Sequence, residues 1–305
     1  MTCVQFKKCS CKCVLAWFPQ PKHMPDWLYT YFADVVAPMI FAKKGRSLVQ
    51  PPTFDTHLSF WLHPPEPVSS LSRKHFNPVI LYGIRIFLWL PHFYVDELRC
   101  PRCRGVLEKN GALAPRRVCD TDSNYEIVAW GYYCRKGCRS HFHGWSREFL
   151  ASLPAWLRLA FPAVLSHNSG LSRNVVSMLR VSNQHKMGPN GLRSLLLEMH
   201  TQRFSILQAQ YLEAVFELVN SRQQESSTTQ TTLHNHFFEH IPSFGDFGDQ
   251  QGYAGFVPSE HYLTEMLNKS IERDEHDANQ HTACLAPDQI SIDDSHKVSY
   301  FFGPY

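Results

Sequence analysis

The sequence LRCPRCRG at residues 98–105 carries one pair of cysteines, and GYYCRKGCRSHFHGW at residues 131–145 carries a second pair. Two residues separate the cysteines of the first pair, and three separate those of the second. Thiolates at these spacings on tight turns converge on one ion, and two such pairs complete a tetrahedral zinc site. The sequence therefore predicts a structural zinc ion, with no open coordination position, held by Cys100, Cys103, Cys134 and Cys138.

The segment between the two pairs, RRVCDTDSNYEIVAWGYY at residues 116–133, predicts two β-strands joined by a polar turn. Pro101, Gly105 and Gly137 favour sharp reversals at the cysteines themselves. A cysteine turn, a hairpin and a second cysteine turn form the plan of a zinc ribbon. Three nearby residues stay open as alternative metal ligands, namely Cys119, His141 and His143.

Composition indicates a globular chain, because 44% of its 305 residues are hydrophobic and 13% are aromatic. The longest apolar run, residues 78–91, is interrupted by Arg85 and is shorter than the roughly 20 residues of a membrane span, so it predicts a buried strand. The apolar stretch VLAWF near the N-terminus is too short for a signal peptide. We therefore expect an intracellular protein without a membrane partner, whose cysteines are reduced.

The order of patterns predicts an α+β fold, in which a small zinc-ribbon hairpin module precedes a helical segment. Residues 55–221 form this zinc-ribbon and helical domain, and residues 222–250 are a polar linker. Residues 251–305 resume order with a helix after Pro258 and a strand at the C-terminus. Residues 1–54 form a partly disordered tail, with four cysteines whose spacing fits no closed metal turn: Cys3, Cys9, Cys11 and Cys13. One helix-like stretch within it, DWLYTYFADVVAPMIF, either packs on the main domain or extends from it.

Charge is distributed unevenly along the chain, although the formal net charge is only +3. Residues 99–147 carry a balance of +6, residues 150–205 carry +5, and residues 206–305 carry −11. A basic middle region is typical of a surface that contacts nucleic acid. The residues predicted to contact DNA phosphates flank the cysteines and the hairpin: Arg99, Arg102, Arg104, Arg116, Arg117, Arg135, Lys136 and Arg139.

Several stretches together resemble a family of uncharacterised cysteine-rich domains. They are FWLHPPEP, FNPVILYGIRIFLWLPHFYVDELRCPRC, CRKGC and HGWSREFLASLPAWLRLAF, followed later by GYAGFVPSEHYLTEML and ISIDDSHKV. Domains of that family occur upstream of RNase-H-like transposase cores in mobile elements, mostly fungal ones. The resemblance implies that ISIDDSHKV is the first strand of such a core and that Asp293 is its first catalytic carboxylate, followed by Ser295 and Lys297.

That resemblance implies a transposase-derived module that is catalytically incomplete, because two or three carboxylates are needed to hold two catalytic metal ions. We accordingly expect no enzymatic activity, no small-molecule cofactor, a vestigial role for Asp293, and a nuclear location. The function favoured by sequence is zinc-dependent DNA binding. The alternative is a protein-interaction module that uses exposed aromatic residues, namely Trp130, Tyr132, Tyr133 and Trp145. An active DD(E/D) nuclease is the least favoured function.

Overall fold

A computed structural model describes residues 18–44, 47–56, 59–64, 66–71, 77–167, 169–225 and 242–284. The fold is α+β, as predicted, with an eight-stranded sheet at its centre and helices around it. Within the described ranges, no helix combines the length and the apolar character needed to cross a lipid bilayer. Asp293, Ser295, Lys297 and the four N-terminal cysteines lie outside these ranges, as do residues 226–241 of the predicted linker.

The strands, in chain order, are β1 (Lys43–Lys44), β2 (Ser47–Leu48), β3 (Trp61–Leu62), β4 (Arg85–Trp89), β5 (Glu108–Ala112), β6 (Arg116–Cys119), β7 (Asn124–Tyr133), β8 (His141–His143), β9 (Ala163–Leu165) and β10 (Ser169–Ser172). The α-helices are α1 (Asp26–Tyr31), α2 (Ala37–Phe41), α3 (Pro52–Thr56), α4 (Pro67–Leu71), α5 (Pro78–Tyr82), α6 (Arg147–Ser152), α7 (Ala155–Ala160), α8 (Arg173–Gln184), α9 (Gly188–Glu225) and α10 (Glu260–Cys284). A π-helical turn (Phe32–Val36) joins α1 to α2, and a 3-10 turn (Pro91–Phe93) follows β4.

Strand β7 lies at the centre of the sheet and has strand partners on both edges along its length. Its first half pairs in parallel with β4 and antiparallel with β6, and its second half pairs antiparallel with β5 and β8. Beyond this centre, β3 pairs with β4, while β10 and β9 extend the sheet from β6. The predicted hairpin of residues 116–133 is confirmed, since Cys119 opposes Asn124 across the turn.

The apolar run at residues 78–91 contains a helix as well as the predicted strand. Helix α5 occupies its first five residues, because Pro78 is well suited to the first helical position and the Asn77 side chain accepts a hydrogen bond from the Val79 amide at 3.1 Å. The chain then turns at Gly83 and enters β4. Strand β4 is buried over Ile86–Trp89 because helices and strands cover both of its faces.

Residues 18–44, which the sequence assigned to an N-terminal tail, pack into the main core. Six apolar side chains of this segment are buried against the sheet: Phe18, Met24, Leu28, Phe32, Val36 and Ile40. Trp27 also donates a hydrogen bond to the Gly252 carbonyl at 2.9 Å, which connects this segment to a residue 225 positions later in the chain. The sequence left open whether the helix-like stretch in this segment packs on the main domain, and the structure shows that it does.

A second core lies among the helices that follow the sheet. Helices α8, α9 and α10 bury Leu179, Leu192 and Leu263 against one another. The helical segment predicted after the ribbon is confirmed, and its longest helix is α9. The helix predicted after Pro258 is confirmed as α10, whose start is capped because Ser259 Oγ accepts from the Tyr262 amide at 3.2 Å.

The polar turn of the β6–β7 hairpin is attached to helix α9 by charged groups. Asp122 accepts from Arg203 at 3.1 Å, and the Asp120 carbonyl contacts His200 Nε2 at 2.9 Å. Asp120 also pairs with Arg85 at 2.9 Å. The acidic residues of this turn therefore join the sheet to the second core.

The end of the predicted linker is ordered where the structure describes it. Phe244 is buried against Tyr82 and Tyr211, and its carbonyl accepts a hydrogen bond from the Tyr82 hydroxyl at 2.5 Å. Residues 242–250 accordingly belong to the packed structure, whereas the sequence placed them in a polar linker.

We expect Phe32→Ala to lower the free energy of unfolding by about 3–5 kcal/mol, because Phe32 is 1% exposed and its loss leaves a cavity beneath the sheet. Val68→Ala is the control, since Val68 is 65% exposed and its truncation should cost less than about 0.5 kcal/mol. Urea denaturation followed by tryptophan fluorescence measures both values. Equal stability of the two variants would contradict the placement of residues 18–44 in the core.

Candidate metal centre

The first knuckle, residues 98–107, is a tight loop that leads into β5. Leu107 donates its amide hydrogen to the Leu98 carbonyl at 2.9 Å, and Arg99 pairs with Val106 in an isolated bridge. Inside this closure, the Cys100 amide donates to the Gly105 carbonyl at 2.7 Å. These bonds bring both cysteine side chains of the loop to the same side.

The second knuckle, residues 134–140, begins directly after β7 and leads into β8. The Cys134 amide donates to the Ser140 carbonyl at 3.0 Å. The same bond closes the first knuckle: in each loop the amide of the first cysteine donates to the carbonyl of the residue two positions after the second cysteine. Each knuckle also has a residue with positive φ immediately after that cysteine: Arg104 at 61° and Arg139 at 54°. The two loops therefore share one backbone design despite their different lengths.

The four cysteine sulfurs of the two knuckles form one compact group. Cys100 Sγ lies 3.5 Å from Cys138 Sγ, and Cys103 Sγ lies 3.4 Å from Cys134 Sγ. All four sulfurs lie within 4.8 Å of one another, so the group can hold a metal ion. Zinc–sulfur bonds of ~2.3 Å place the corners of a tetrahedron ~3.8 Å apart, and the observed separations fit that size.

Two sulfurs of this group are buried and two are exposed. Cys100 and Cys134 are buried beneath the knuckles, whereas Cys103 and Cys138 face outward. Amide hydrogens, first of all that of Gly105, lower the pKa of Cys103 to about 6, and hydrogen bonds from Ser140 lower the pKa of Cys138. Burial raises the pKa of Cys134 to about 12, so a bound cation is needed to hold this sulfur as a thiolate.

Gly137 leaves the space that the sulfurs occupy. A Cβ atom at this position would lie 2.5 Å from Cys103 Sγ and 2.9 Å from Cys134 Sγ, which is too close for any side chain. A Cβ atom at Gly105 would lie 3.5 Å from each of the same two sulfurs, an ordinary contact distance. The metal-binding group therefore requires glycine at 137 but tolerates a methyl group at 105.

Arg102 connects the two knuckles to helix α6. Its guanidinium donates to both carboxylate oxygens of Glu148, at 2.8 and 3.2 Å, and to Ser140 Oγ at 3.1 Å. It also lies over the Phe142 ring, 5.5 Å from its centroid. The sequence predicted that Arg102 contacts DNA phosphates. In the structure its guanidinium is bound to Glu148 and Ser140, because the start of helix α6 lies next to the first knuckle.

The three alternative metal ligands lie outside the four-sulfur group. Cys119 is buried in the second core, near His200, at the far end of β7, which places it about 30 Å from Cys134 at strand spacing. His141 and His143 lie on the exposed face of β8, where His141 stacks on Tyr133 and His143 contacts Trp145. Burial also raises the pKa of Cys119 to about 12, as expected of an inert core thiol.

Three of the eight predicted DNA-contacting residues form ion pairs on or beside the knuckles. Arg99 pairs with Glu97, Arg102 pairs with Glu148, and Arg135 approaches Glu108 at 3.7 Å. These glutamates neutralise much of the positive charge that the sequence places there.

Two further predicted residues lie on β6, away from the knuckles. Arg116 lies over Trp145, and Arg117 lies 3.7 Å from the centroid of Phe256. Burial lowers the pKa of both guanidinium groups. Arg117 is further engaged with Glu126, which lies directly opposite it on β7. Arg117 therefore supports the packing of the chain after residue 250 rather than a DNA-contacting surface.

Three predicted residues remain exposed without an ion pair among the described residues: Arg104, Lys136 and Arg139. Two other basic residues, which the sequence counted in the charge balance but did not assign to DNA, are exposed on elements that adjoin the knuckles. Lys109 is exposed on β5, opposite Tyr132, and Arg147 is exposed at the start of α6. The position of Lys109 near the second knuckle follows only from the pairing of β5 with the end of β7, because the two segments are far apart in sequence.

The aromatic residues of the alternative function are largely buried. Trp130 and Tyr132 belong to the main core, and Tyr132 stacks on Phe149 with ring centroids 4.6 Å apart. Trp145 is half-buried beneath Arg116. The predicted exposure is wrong for Trp130 and Tyr132, because β7 has neighbours on both edges and on both faces, whereas Tyr133, like Trp145, is half-buried.

Comparison with known proteins identifies a family for this chain. A family model described as Domain of unknown function (DUF6729) matches residues 32–246, which is more than two thirds of the chain. No curated protein and no solved structure matches. The matched region includes both knuckles, the whole eight-stranded sheet and helix α9, and it extends beyond residues 55–221 on both sides.

We expect Gly137→Ala to weaken metal binding at least tenfold, about 1.4 kcal/mol, because its Cβ displaces Cys103 Sγ and Cys134 Sγ. Gly105→Ala is the matched control, and its affinity should stay within about threefold of wild type. Competition between the protein and a chromophoric chelator, with cobalt(II) absorption as the readout, measures both affinities. Equal affinities of the two variants would show that the sulfurs are not arranged as described.

Proposed function

The chain belongs to the DUF6729 family, and we propose that in this member the four cysteines hold one structural zinc ion and that the knuckles around it bind DNA. Zinc is favoured because four thiolates in a tetrahedral group suit it and leave no position for a substrate or a catalytic water. Iron also accepts four thiolates, so metal analysis of the purified protein is part of the test.

The observation that carries DNA binding is the exposed charge of the knuckles. Arg104, Lys136 and Arg139 lie within two residues of the four-sulfur group and are not neutralised by carboxylates of the described chain. Lys109 and Arg147 add positive charge on the adjoining elements. A rigid surface with this charge attracts phosphate groups and releases the counterions bound to them.

The ancestry proposed with this function rests on the sequence resemblance to domains upstream of transposase cores. A transposase-derived module would retain recognition of DNA without catalysis, and it would act in the nucleus. Asp293 would then be a vestigial carboxylate.

A second candidate function, a protein-interaction module, is favoured by the outer face of helix α9. Ile206, Leu212 and Phe216 are exposed on this face, and Phe216 is 62% exposed. Replacing Leu212 and Phe216 by glutamine should abolish partner binding without changing DNA affinity. Sedimentation of wild type and variant over a concentration series tests whether that partner is a second copy of the chain.

We expect the full-length, metal-loaded protein to bind duplex DNA with an affinity that falls with salt and is lost with the metal. If three phosphates are contacted, the slope of log affinity against log salt concentration should be about −2.7. Fluorescence anisotropy across a salt series measures this slope before and after treatment with a strong chelator.

Adding back zinc, but not magnesium, should restore binding, which controls for irreversible damage by the chelator. Circular dichroism before and after chelation shows whether the rest of the fold persists. Binding that is absent from a protein shown to contain one zinc ion would reject DNA binding. DNA binding that persists after complete removal of the metal would show that the knuckles are not the DNA-binding surface.

A further inference from the structure

Arg104 and Arg139 occupy equivalent positions in the two knuckles, each immediately after the second cysteine. Their φ angles of 61° and 54° lie in the left-handed region, which glycine adopts freely and which costs free energy for other residues. We propose that these two arginines are the residues that contact phosphodiester groups, one from each knuckle. The inference rests on the proposed DNA-binding function and names the residues that perform it.

The left-handed conformation is required by the cysteine site. It lets the amide of the next residue reach back toward sulfur, as the hydrogen bonds from Gly105 to Cys103 and from Ser140 to Cys138 show. The carbonyl of the same residue then accepts the amide of the first cysteine in the knuckle. The direction of each arginine side chain is therefore set by the backbone that surrounds the metal ion.

Glycine would satisfy this backbone at lower cost, so the arginine side chain has no structural reason to be there. Both side chains are exposed, and neither guanidinium has a hydrogen bond, ion pair or ring contact with the described residues. Three other arginines in or beside the knuckles differ in this respect, because each is engaged by a glutamate: Arg99, Arg102 and Arg135. A strained residue whose side chain contributes nothing to the fold indicates a role toward an external ligand.

The chemistry of that ligand follows from the two groups. A guanidinium presents a planar fork of donors that matches two oxygens of a phosphate. Lys136 lies between Cys134 and Cys138 in the second knuckle and adds a third positive charge. The nearby carboxylates are already paired with other arginines: Glu97, Glu108 and Glu148. Two oriented forks on one rigid surface suit successive or facing phosphates of a nucleic acid, and they carry no information about base sequence.

The test compares two double variants of the full-length, zinc-loaded protein that each remove two positive charges. Arg104→Gly with Arg139→Gly removes the proposed contacts and relieves the left-handed strain. Arg99→Gln with Arg135→Gln removes two arginines that are already paired with glutamates. Anisotropy with one fluorescent duplex, prepared as DNA and as RNA, gives affinity and salt slope for each protein.

We expect the glycine double variant to keep one zinc ion and a melting temperature at or above that of wild type. Its affinity should fall at least tenfold at physiological salt, and its salt slope should decrease in magnitude by about 1.8, which corresponds to two phosphate contacts. The glutamine double variant should keep the wild-type salt slope. Should the glycine variant fail to fold, Arg104→Asn with Arg139→Asn replaces it, because asparagine tolerates left-handed backbone.

The outcomes separate this inference from the proposed function. Wild-type binding to DNA with equal losses in both double variants would overturn the role of Arg104 and Arg139 but leave DNA binding intact. Binding to RNA alone, lost in the glycine variant, would support the two phosphate contacts and overturn the choice of DNA. If wild type binds neither nucleic acid, both proposals fail, and an acidic protein surface becomes the ligand to examine. Lower stability than wild type in both the glycine and the asparagine double variants would show that the arginines are structural.

Discussion

Strand β7 is the constraint on which the rest of the structure depends. Its first half forms the centre of the buried sheet, and its second half forms the centre of the ribbon that carries the four-sulfur group. Cys134 follows its last residue directly, so the position of that sulfur is set by ten residues of paired and largely buried strand. A metal-binding loop attached in this way is held in place by the buried strand that precedes it.

Because the same strand serves both parts, the ribbon is not a separate module. Trp89 on β4 donates a hydrogen bond to the Gly144 carbonyl at 2.8 Å, just beyond β8, and Tyr132 on the ribbon half stacks on Phe149 of helix α6. The family match over residues 32–246 agrees with this continuity, since it begins within the N-terminal helical segment and ends beyond helix α9. Removal of an ion bound by the four sulfurs would therefore loosen one end of the central strand, while the other end would remain held by the second core.

The eight basic residues near the cysteines differ in how available their charges are to a ligand. Eight arginine and lysine residues near the cysteines look alike in the sequence, but their neighbours give them three different roles. Glutamates from β5, helix α6 and the first knuckle region engage three of them, and aromatic rings cover two on β6. Only Arg104, Lys136 and Arg139 project without such neighbours in the described chain, and two of these three are placed by left-handed backbone.

The sequence alone determined the features that depend on local spacing. The cysteine pairs, the hairpin of residues 116–133 and the long helix after residue 188 could be predicted, because turn geometry and hydrophobic period act between residues close in the chain. Only the tertiary structure decided that Phe18 to Ile40 belong to the core, that Trp130 and Tyr132 are buried, and that Arg102 binds Glu148. Those outcomes depend on which strands pair with β7 and on which side chains meet across distant segments, and local pattern carries no record of such contacts.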